Sequence, residues 1–256
     1  MEVISFGTAK EHTHPLLFVH GSYCAAWIWE RYFLPYFAEH GFHGAAISLR
    51  GHGQTSNNAY VDHYGIQDFL EDIDQGTKLF NKPPILIGHS LGGYLVQRYA
   101  LTHEVRGMAL LASPSLSGLG TSSQHILTNN PLLSFQLGML MLLGPLYVDQ
   151  NIIGRSLFLH DIPEEEYEFL ASHFQRESSR VTQEAFLPCL LHPQHIPPTL
   201  VLGGASDAFI PESDLHQAAQ TWNAELKIMD HVPHGLMIDP CWPKVADVVK
   251  TWLEGI

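Results

Sequence analysis

The chain has 256 residues, of which 45% are hydrophobic and 15% charged, which suffices for a full apolar core and excludes a disordered or fibrous protein. Its formal net charge of −13 argues against a basic surface that binds nucleic acid or an anionic membrane. Three scattered cysteines are too few for a disulfide framework, so we expect reduced thiols. The start of the chain carries no basic segment followed by an apolar core, so we predict no signal peptide and a cytoplasmic location.

Strands and helices alternate in the predicted elements up to about residue 113. The hydrophobic periodicity predicts strands at 1–6, 16–19, 44–48, 85–88 and 107–111, and helices at 27–40, 66–81 and 92–103. The alternation resumes with a strand from Thr199, a helix at 212–221, a strand at 225–229 and a helix at 243–253. This order is typical of a mostly parallel, doubly wound α/β sheet covered by helices on both faces.

The segment between these two parts has no strand–helix repeat and contains helix-like stretches. We therefore expect an α/β core made of residues 1–116 and 199–256, with residues 117–198 inserted as a helical cap over the strand ends. Residues 131–148 of this cap carry no formal charge and are rich in leucine and methionine, but two prolines and two glycines argue against a transmembrane helix. We expect a cap helix with a buried apolar face, part of which lines an acyl pocket.

A serine lies between glycines in the segment 88–93, which reads Gly-His-Ser-Leu-Gly-Gly and follows the apolar run 85–87. A serine on a sharp turn between a strand and a helix needs glycine-sized neighbours, because the surrounding backbones come very close. Ser90 is therefore predicted to be a nucleophile at a helix amino terminus, where unpaired N–H groups stabilise negative charge. An ordinary glycine-rich turn is the alternative that this segment alone leaves open.

A serine hydroxyl needs a base to take its proton and a third group to orient that base. Asp207 follows the apolar strand that begins at Thr199, and His234 lies in the loop after the strand 225–229. We predict that His234 is the base and Asp207 the orienting acid, both at the carboxyl edge of the sheet. The chain order Ser90, Asp207, His234 is the order expected on such a sheet.

Several nearby residues compete for these roles. His231 competes with His234, while Asp230 and Asp239 compete with Asp207, although each is more often a solvated loop residue. Four histidines in two close pairs lack carboxylate or cysteine partners, so we expect loop residues rather than metal ligands: His12, His14, His192 and His195. Neither a metal nor an organic cofactor is expected.

Acyl transfer also needs two N–H donors for the oxygen that becomes negative. The amide of Leu91, directly after the nucleophile, is expected to be one. The amide of Ser22, in the loop after the strand 16–19, is expected to be the other, with that of Tyr23 as second choice. Tyr23, Cys24 and Met237 are predicted to line the substrate pocket, with plain core packing as the alternative for each.

Over nearly its whole length the chain resembles enzymes of the α/β-hydrolase fold. The resemblance rests on these landmarks: His20-Gly21, the turn from Arg50 to Ser56, the elbow at 88–93, Asp207 and His234. Residues 20–27 are also similar to a loop of plant methylesterases and hydroxynitrile lyases, and residues 233–242 resemble lysophospholipase-like bacterial hydrolases. Ser48 stands where many relatives carry an aspartate, so a carboxylate that stabilises the following turn is expected to be absent.

The resemblance implies a serine hydrolase that cleaves a carboxylic ester, thioester or lactone of a small to medium hydrophobic substrate through an acyl-enzyme on Ser90. Epoxide hydrolases and haloalkane dehalogenases of this fold use aspartate at that position, so those reactions are disfavoured. A small-molecule receptor and a C–C hydrolase or lyase remain as alternatives. The similar lyases have threonine in place of Gly21 and a lysine near the cap, whereas no lysine occurs here between Lys82 and Lys227. The oligomeric state is left open.

Overall fold

A seven-stranded sheet lies at the centre of the computed structural model, which describes residues 1–9, 13–55, 58–143 and 147–256. The strands within these residues are β1 (Glu2–Phe6), β2 (Leu16–Val19), β3 (Gly44–Ser48), β4 (Ile85–His89), β5 (Gly107–Leu111), β6 (Thr199–Gly204) and β7 (Glu225–Met229). Their spatial order is β1-β3-β2-β4-β5-β6-β7, and every neighbouring pair is parallel except β1 with β3. The predicted mostly parallel α/β sheet is confirmed.

The central strands are buried on both faces, which explains their uninterrupted apolar sequences. Successive side chains of a strand point to opposite faces, so neighbouring residues join different cores. Phe18 and Ile87 belong to the core cluster that contains Trp29, whereas Val19 and Leu86 belong to the cluster on the other face. The sheet therefore separates two apolar layers.

The described residues form these helices: α1 (Trp27–Glu30), α2 (Phe33–Glu39), α3 (Ile66–Thr77), α4 (Leu91–Ala100), α5 (Gly120–Asn129), α6 (Pro131–Leu143), α7 (Gln150–Arg155), α8 (Glu164–His173), α9 (Ser179–Phe186), α10 (Glu212–Trp222) and α11 (Trp242–Glu254). A short 3-10 segment covers Asn58–His63. Helices α1, α2 and α11 pack on one face of the sheet, and α3, α4 and α10 pack on the other. The doubly wound arrangement thus follows from the alternation in the sequence.

The prediction of one continuous helix at 27–40 was wrong. The structure breaks it into α1 and α2 at Arg31 and Tyr32. Pro35 explains the break, because proline lacks the N–H that a continuous helix would donate to the carbonyl of Arg31 and is tolerated only in a first turn. The new helix begins at Phe33, which places Pro35 in that first turn.

Helices α5 to α9 all lie between β5 and β6 in the chain, where the sequence lost its alternation. That residues 117–198 form a separate cap stays a prediction. None of the helices in the described part of the chain combines the length and apolarity that a bilayer crossing requires.

The turn after β3 is held by a carboxylate that comes from another strand. The antiparallel register places Glu2 opposite Ser48. The Glu2 carboxylate accepts a hydrogen bond from the Ser48 hydroxyl and one of 3.1 Å from the amide of Gln54. The amide of Glu2 donates to Thr55 Oγ1 at 2.8 Å, and Thr55 donates to the Ser48 carbonyl at 3.0 Å. The turn therefore lacks a carboxylate at position 48, and strand pairing supplies a different one from a distant residue.

Removal of this carboxylate is expected to destabilise the turn. Glu2→Ala should lower the free energy of unfolding by about 1–2 kcal/mol, because the amide and hydroxyl donors lose a charged acceptor. Urea denaturation followed by circular dichroism measures the change. Glu39→Ala, on the exposed end of α2, is the matched control and should change the free energy by less than about 0.5 kcal/mol. Equal effects of the two substitutions would show that the carboxylate does not hold the turn.

Candidate active site

Ser90 lies on the sharp turn between β4 and α4, with φ 52° and ψ −122°. A positive φ is strained for a residue other than glycine, and such strain concentrates at functional sites. The neighbouring glycines are required by close contacts: a Cβ at Gly92 would lie 2.3 Å from the carbonyl oxygen of His20, and one at Gly88 would lie 2.6 Å from that of Gly92. The strand–turn–helix context predicted for Ser90 is present.

A continuous chain of hydrogen bonds joins Ser90 to two residues from later loops. Ser90 Oγ lies 3.1 Å from His234 Nε2, and His234 Nδ1 lies 2.9 Å from Asp207 Oδ2. The other oxygen of Asp207 accepts backbone hydrogen bonds from Phe209 and Ile210 at 2.7 and 2.9 Å. His234 is only 4% exposed. This geometry allows the imidazole to accept the serine proton while the carboxylate fixes its tautomer.

The competing residues lie outside this chain of hydrogen bonds. Asp230 and His231 are both exposed. Asp239 is buried, but its carboxylate accepts hydrogen bonds from the backbone amides of Leu159 and His160 and contacts the His160 ring at 2.7 Å. The structure therefore brings Asp207 and His234 to Ser90 and leaves the three competitors apart from it.

His89 is a further residue of this site, and the sequence did not indicate its contact with His234. Its Nε2–H donates to the backbone carbonyl of His234 at 2.9 Å, and the two rings lie 4.7 Å apart. Burial, together with the charge that His234 can carry, holds the pKa of His89 well below its usual range. A neutral His89 thus fixes the backbone of the loop that carries His234. The sequence signal that places His89 at the site is its position next to Ser90, at the end of β4.

The loop after β2 packs directly against the elbow. A Cβ at Gly21 would lie 3.0 Å from Cβ of Ser90, which accounts for a glycine at this position. Ser22 follows Gly21 and lies with Leu91 in the wall of the same cavity. Leu91 is the first residue of α4, where amide groups have no acceptor within the helix. The two amides predicted as oxyanion donors therefore belong to the loop after β2 and to the first turn of α4, which meet at Ser90.

The segment 174–178, between α8 and α9, forms hydrogen bonds to the loop after β2 and to the turn after β3. The amide of Gln175 donates to the carbonyl of Tyr23 at 2.8 Å, and its side-chain oxygen accepts from the amide of Gly53 at 2.5 Å. Glu177, buried in the same segment, lies 3.5 Å from His52 Nε2. Burial disfavours a charge on His52, but the Glu177 carboxylate, the Arg50 carbonyl and Asp72 together raise the pKa of His52. Backbone and side-chain hydrogen bonds of Gln175 and the buried contact between Glu177 and His52 thus tie the segment to the core.

Cys24 is not suited to nucleophilic chemistry. Burial, with the nearby charge of Glu177, raises the pKa of the Cys24 thiol to about 12. A thiol with such a pKa carries almost no thiolate near neutral pH. The cysteine therefore contributes apolar surface rather than reactivity.

An apolar cavity of about 360 Å³ opens beside Ser90. Its wall is formed largely by the helices between β5 and β6, with Ile126 from α5, Leu137 and Met141 from α6, Ile153 from α7 and Phe186 from α9. The predicted pocket residues Tyr23, Cys24 and Met237 lie in the same wall. Their part in substrate binding stays a prediction.

The described residues contain one compact group of potential metal ligands, formed by His160, Asp239 and Cys241. The carboxylate of Asp239 already accepts hydrogen bonds from three backbone amides and the His160 ring. Burial and the hydrogen bond to Asp239 raise the pKa of the Cys241 thiol to about 12, which disfavours the thiolate that binds metals. The group fits a structural link between two loops.

The histidines that we expected to be loop residues do not join a metal group in the described part of the chain. His192 and His195 are exposed, and His14 Nδ1 lies 3.0 Å from the carbonyl of Pro83. His12 lies outside the described residues.

A parallel sheet with a sharp strand–turn–helix elbow at the carboxyl end of a central strand is typical of one class of enzymes. A family model described as "Alpha/beta hydrolase family" matches residues 16–247, so the chain belongs to the alpha/beta hydrolase family. Membership of this family supports hydrolase chemistry. Among curated proteins, bifunctional epoxide hydrolase 2 of Sus scrofa is 31% identical over 116 residues, which are 44% of this chain. The match spans only 21% of that relative's own length.

Solved structures share the whole fold at low sequence identity. An esterase from Exiguobacterium antarcticum is 17% identical with a TM-score of 0.75, and the match covers 98% of this chain and 94% of the esterase. A monoacylglycerol lipase from Paleococcus ferrophilus is 18% identical with a TM-score of 0.71, covering 98% of this chain and 97% of the lipase. At these identities the likeness establishes the fold alone.

Acid should destabilise the protein through the buried His20. Burial, followed by the charge of His52, lowers the pKa of His20 from 6.5 to about 3. Above pH 6.5 both the folded and unfolded states hold a neutral ring, so His20 adds no pH dependence there. Below it the unfolded state takes up a proton first, so stability falls until about pH 3. At about pH 5 this proton uptake costs the folded state about 2 kcal/mol.

Urea denaturation at about pH 7.5 and about pH 5 measures this effect. His20→Gln should remove about 2 kcal/mol of the difference between the two conditions, whatever its effect at a single pH. The exposed His195→Gln is the control and should keep the parent's pH dependence. An unchanged pH dependence in His20→Gln would contradict the assignment.

Proposed function

We propose that the protein is a serine hydrolase that cleaves carboxylic esters, thioesters or lactones of small to medium hydrophobic substrates through an acyl-enzyme on Ser90. The hydrogen-bond chain from Ser90 through His234 to Asp207, opening into an apolar cavity, carries this proposal. The buried positions of both partners strengthen their electrostatic interaction, because little water screens it.

The reaction proceeds in two steps. Nε2 of His234 takes the proton of Ser90 while Oγ attacks the carbonyl carbon, and the amides of Leu91 and Ser22 bind the oxygen that becomes negative. Asp207 orients the imidazole and stabilises its cation. His234 then protonates the leaving alcohol or thiol, next removes a proton from the water that attacks the acyl-enzyme, and finally gives that proton to Ser90 Oγ as the acid is released. Every proton transfer uses a group of the chain, and no step requires a metal or organic cofactor.

Serine at position 90 favours acyl transfer over epoxide opening, although an epoxide hydrolase is among the relatives. Attack of an aspartate on an epoxide yields an ester, which water can hydrolyse. Attack of a serine would yield an ether, which has no carbonyl for water to attack, so turnover would stop. Attack of serine on a carboxylic ester yields an ester again, which His234 and water can cleave.

Residues 117–198 are proposed to be a cap that supplies the acyl pocket. Helices α5, α6, α7 and α9 contribute apolar side chains to the cavity beside Ser90. Flexible methionine and leucine side chains accommodate acyl chains of different lengths. The substrate's acyl group therefore lies among these helices, while its ester carbon lies at the elbow.

Ser90→Ala should fold like the parent and lose more than about 10³-fold of its hydrolysis of p-nitrophenyl butyrate, because the nucleophile is gone. A fluorophosphonate should label the parent on Ser90 and leave the variant unlabelled. Ser123→Ala, which removes another serine of the cavity wall, should still be labelled. Slow turnover without labelling, combined with a large ligand-dependent rise in melting temperature, would indicate a receptor instead.

The same assay tests the roles of His234 and Asp207 against those of their neighbours in the sequence, His231 and Asp230. His234→Gln and Asp207→Asn should each lower kcat by about 10³-fold or more, because the proton acceptor or its orientation is lost. The exposed His231→Gln and Asp230→Asn are the matched controls and should change kcat by less than about 2-fold. Parent-like activity in either of the first two variants would contradict its assigned role.

The acyl-chain preference should depend on Gly138. In the parent, kcat/KM is expected to rise from acetate by up to about 4-fold per methylene, until the cavity is full. Gly138 lines the cavity, and a Cβ there would meet nothing within 4 Å, so Gly138→Phe should fill part of the space without a backbone clash. The variant should therefore prefer shorter acyl chains than the parent.

Kinetics with p-nitrophenyl esters from acetate to dodecanoate test this preference. Gly120→Phe is the control, because Gly120 begins α5, also has open space and is exposed. It should keep the parent's profile. A steady fall in the parent's activity from acetate to dodecanoate, or an unchanged profile in Gly138→Phe, would rule out the acyl pocket.

A further inference from the structure

Helix α6 is apolar on both of its faces. Its exposed side carries Leu132, Phe135, Met139, Leu142 and Leu143, which we call the outer face of α6. Four of these side chains are highly exposed, with Leu132 at 55%, Phe135 at 61%, Leu142 at 70% and Leu143 at 51%. Their spacing of three, four, three and one residues keeps them on one side of a helix. They therefore form a continuous apolar stripe in contact with solvent.

The opposite face of α6 packs against the rest of the protein and lines the cavity. Leu133 is fully buried, and Leu137, Leu140 and Met141 line the cavity beside Ser90. A helix on the surface of a globular protein normally carries polar residues on its solvent side. The outer face of α6 therefore exposes apolar area that the fold does not use, and such area marks an interaction surface.

The charge distribution determines which kind of partner this surface fits. Residues 107–148 contain no Asp, Glu, Lys or Arg, although the chain as a whole has a net charge of −13. The segment that carries the outer face of α6 therefore contributes no charged side chain that docking would have to desolvate. An anionic lipid surface would be repelled by the rest of the molecule, and so would a second copy with the same charge. A lipid surface without net charge meets neither obstacle.

The position of α6 connects this surface to the site. The helix separates solvent on one side from the acyl cavity on the other, so a lipid surface on the outer face lies one helix diameter from the cavity. Phe186 of α9 both lines the cavity and is 44% exposed, which marks a point where the apolar cavity wall reaches the outside. An acyl chain could pass there from lipid to cavity with little exposure to water.

We propose that the outer face of α6 docks on lipid aggregates without net charge and that the substrates are esters of single acyl chains carried in them. The inference rests on the proposed hydrolase function, whose substrate class it specifies. Docking raises the local concentration of such esters at the cavity and avoids the cost of moving a free acyl chain through water.

Flotation with dioleoylphosphatidylcholine vesicles tests the surface directly. The parent and Ser90→Ala should both float with the vesicles, because docking does not need the nucleophile. The double variant Phe135→Gln/Leu142→Gln should bind at least about 10-fold more weakly, because two exposed apolar side chains lose their favourable transfer into lipid. Leu79→Gln is the control and should bind like the parent. Leu79 is 49% exposed but precedes β4, at the sheet edge opposite Ser90.

Two substrates separate docking from catalysis. On p-nitrophenyl butyrate in solution, the double variant should match the parent, whereas on monooleoylglycerol dispersed in phosphatidylcholine vesicles it should lose about 10-fold in rate. An active Ser90→Ala variant would refute the hydrolase proposal even if vesicle binding occurred. Absence of vesicle binding in a parent that hydrolyses the butyrate would refute docking alone.

Three further outcomes would overturn the proposed surface. The first is preferential binding of the parent to dioleoylphosphatidylglycerol vesicles, which would show that an anionic surface is the partner. The second is equal vesicle binding by the parent and the double variant. The third is a dimer in sedimentation experiments that the double variant dissociates without any binding to vesicles, which would show that a second copy covers the outer face of α6.

Discussion

The strained turn at Ser90 is the constraint on which the rest of the site depends. A non-glycine residue with φ 52° costs of order 1–3 kcal/mol unless its surroundings hold it. Here the amide of Ser90 donates to the carbonyl of Leu111 at 2.9 Å, and its carbonyl accepts from Tyr94 at 3.1 Å, so strand β5 and helix α4 fix the turn from both sides. Gly92 allows the backbone of the β2 loop to approach as well. The sheet and the helix thus stabilise a conformation that a free chain would avoid.

Two buried histidines, His20 and His89, lie on the strand ends near the elbow, and the ring of His89 lies 4.7 Å from that of the proposed base His234. Burial lowers the pKa of His20 and of His89, so neither ring carries a positive charge near neutral pH. His89 donates to the carbonyl of His234 and therefore orients the base without competing with its positive charge. Because the unfolded chain takes up protons on these rings more readily than the folded protein does, their burial also makes the folded state sensitive to acid.

The proposed nucleophile and the wall of the cavity beside it come from different parts of the chain. The elbow and its two partners lie on the sheet, whereas the apolar cavity wall comes mainly from the helices between β5 and β6. Helix α6 contributes to the cavity with one face and exposes a second apolar face. Solved structures under 20% identical share the fold, and a shared fold does not define a substrate.

The sequence by itself determined the sheet, the elbow and the candidates Asp207 and His234, because strand periodicity and glycine requirements are local properties of the chain. The helix break before Phe33 also has a local signal, the proline at position 35, although the apolar pattern continues through it. Only the tertiary structure decided between His234 and His231, since the distance to Ser90 depends on how separate loops meet. It likewise placed Glu2 opposite Ser48 and Glu177 beside the core. Such contacts join residues far apart in the chain, and no local pattern encodes them.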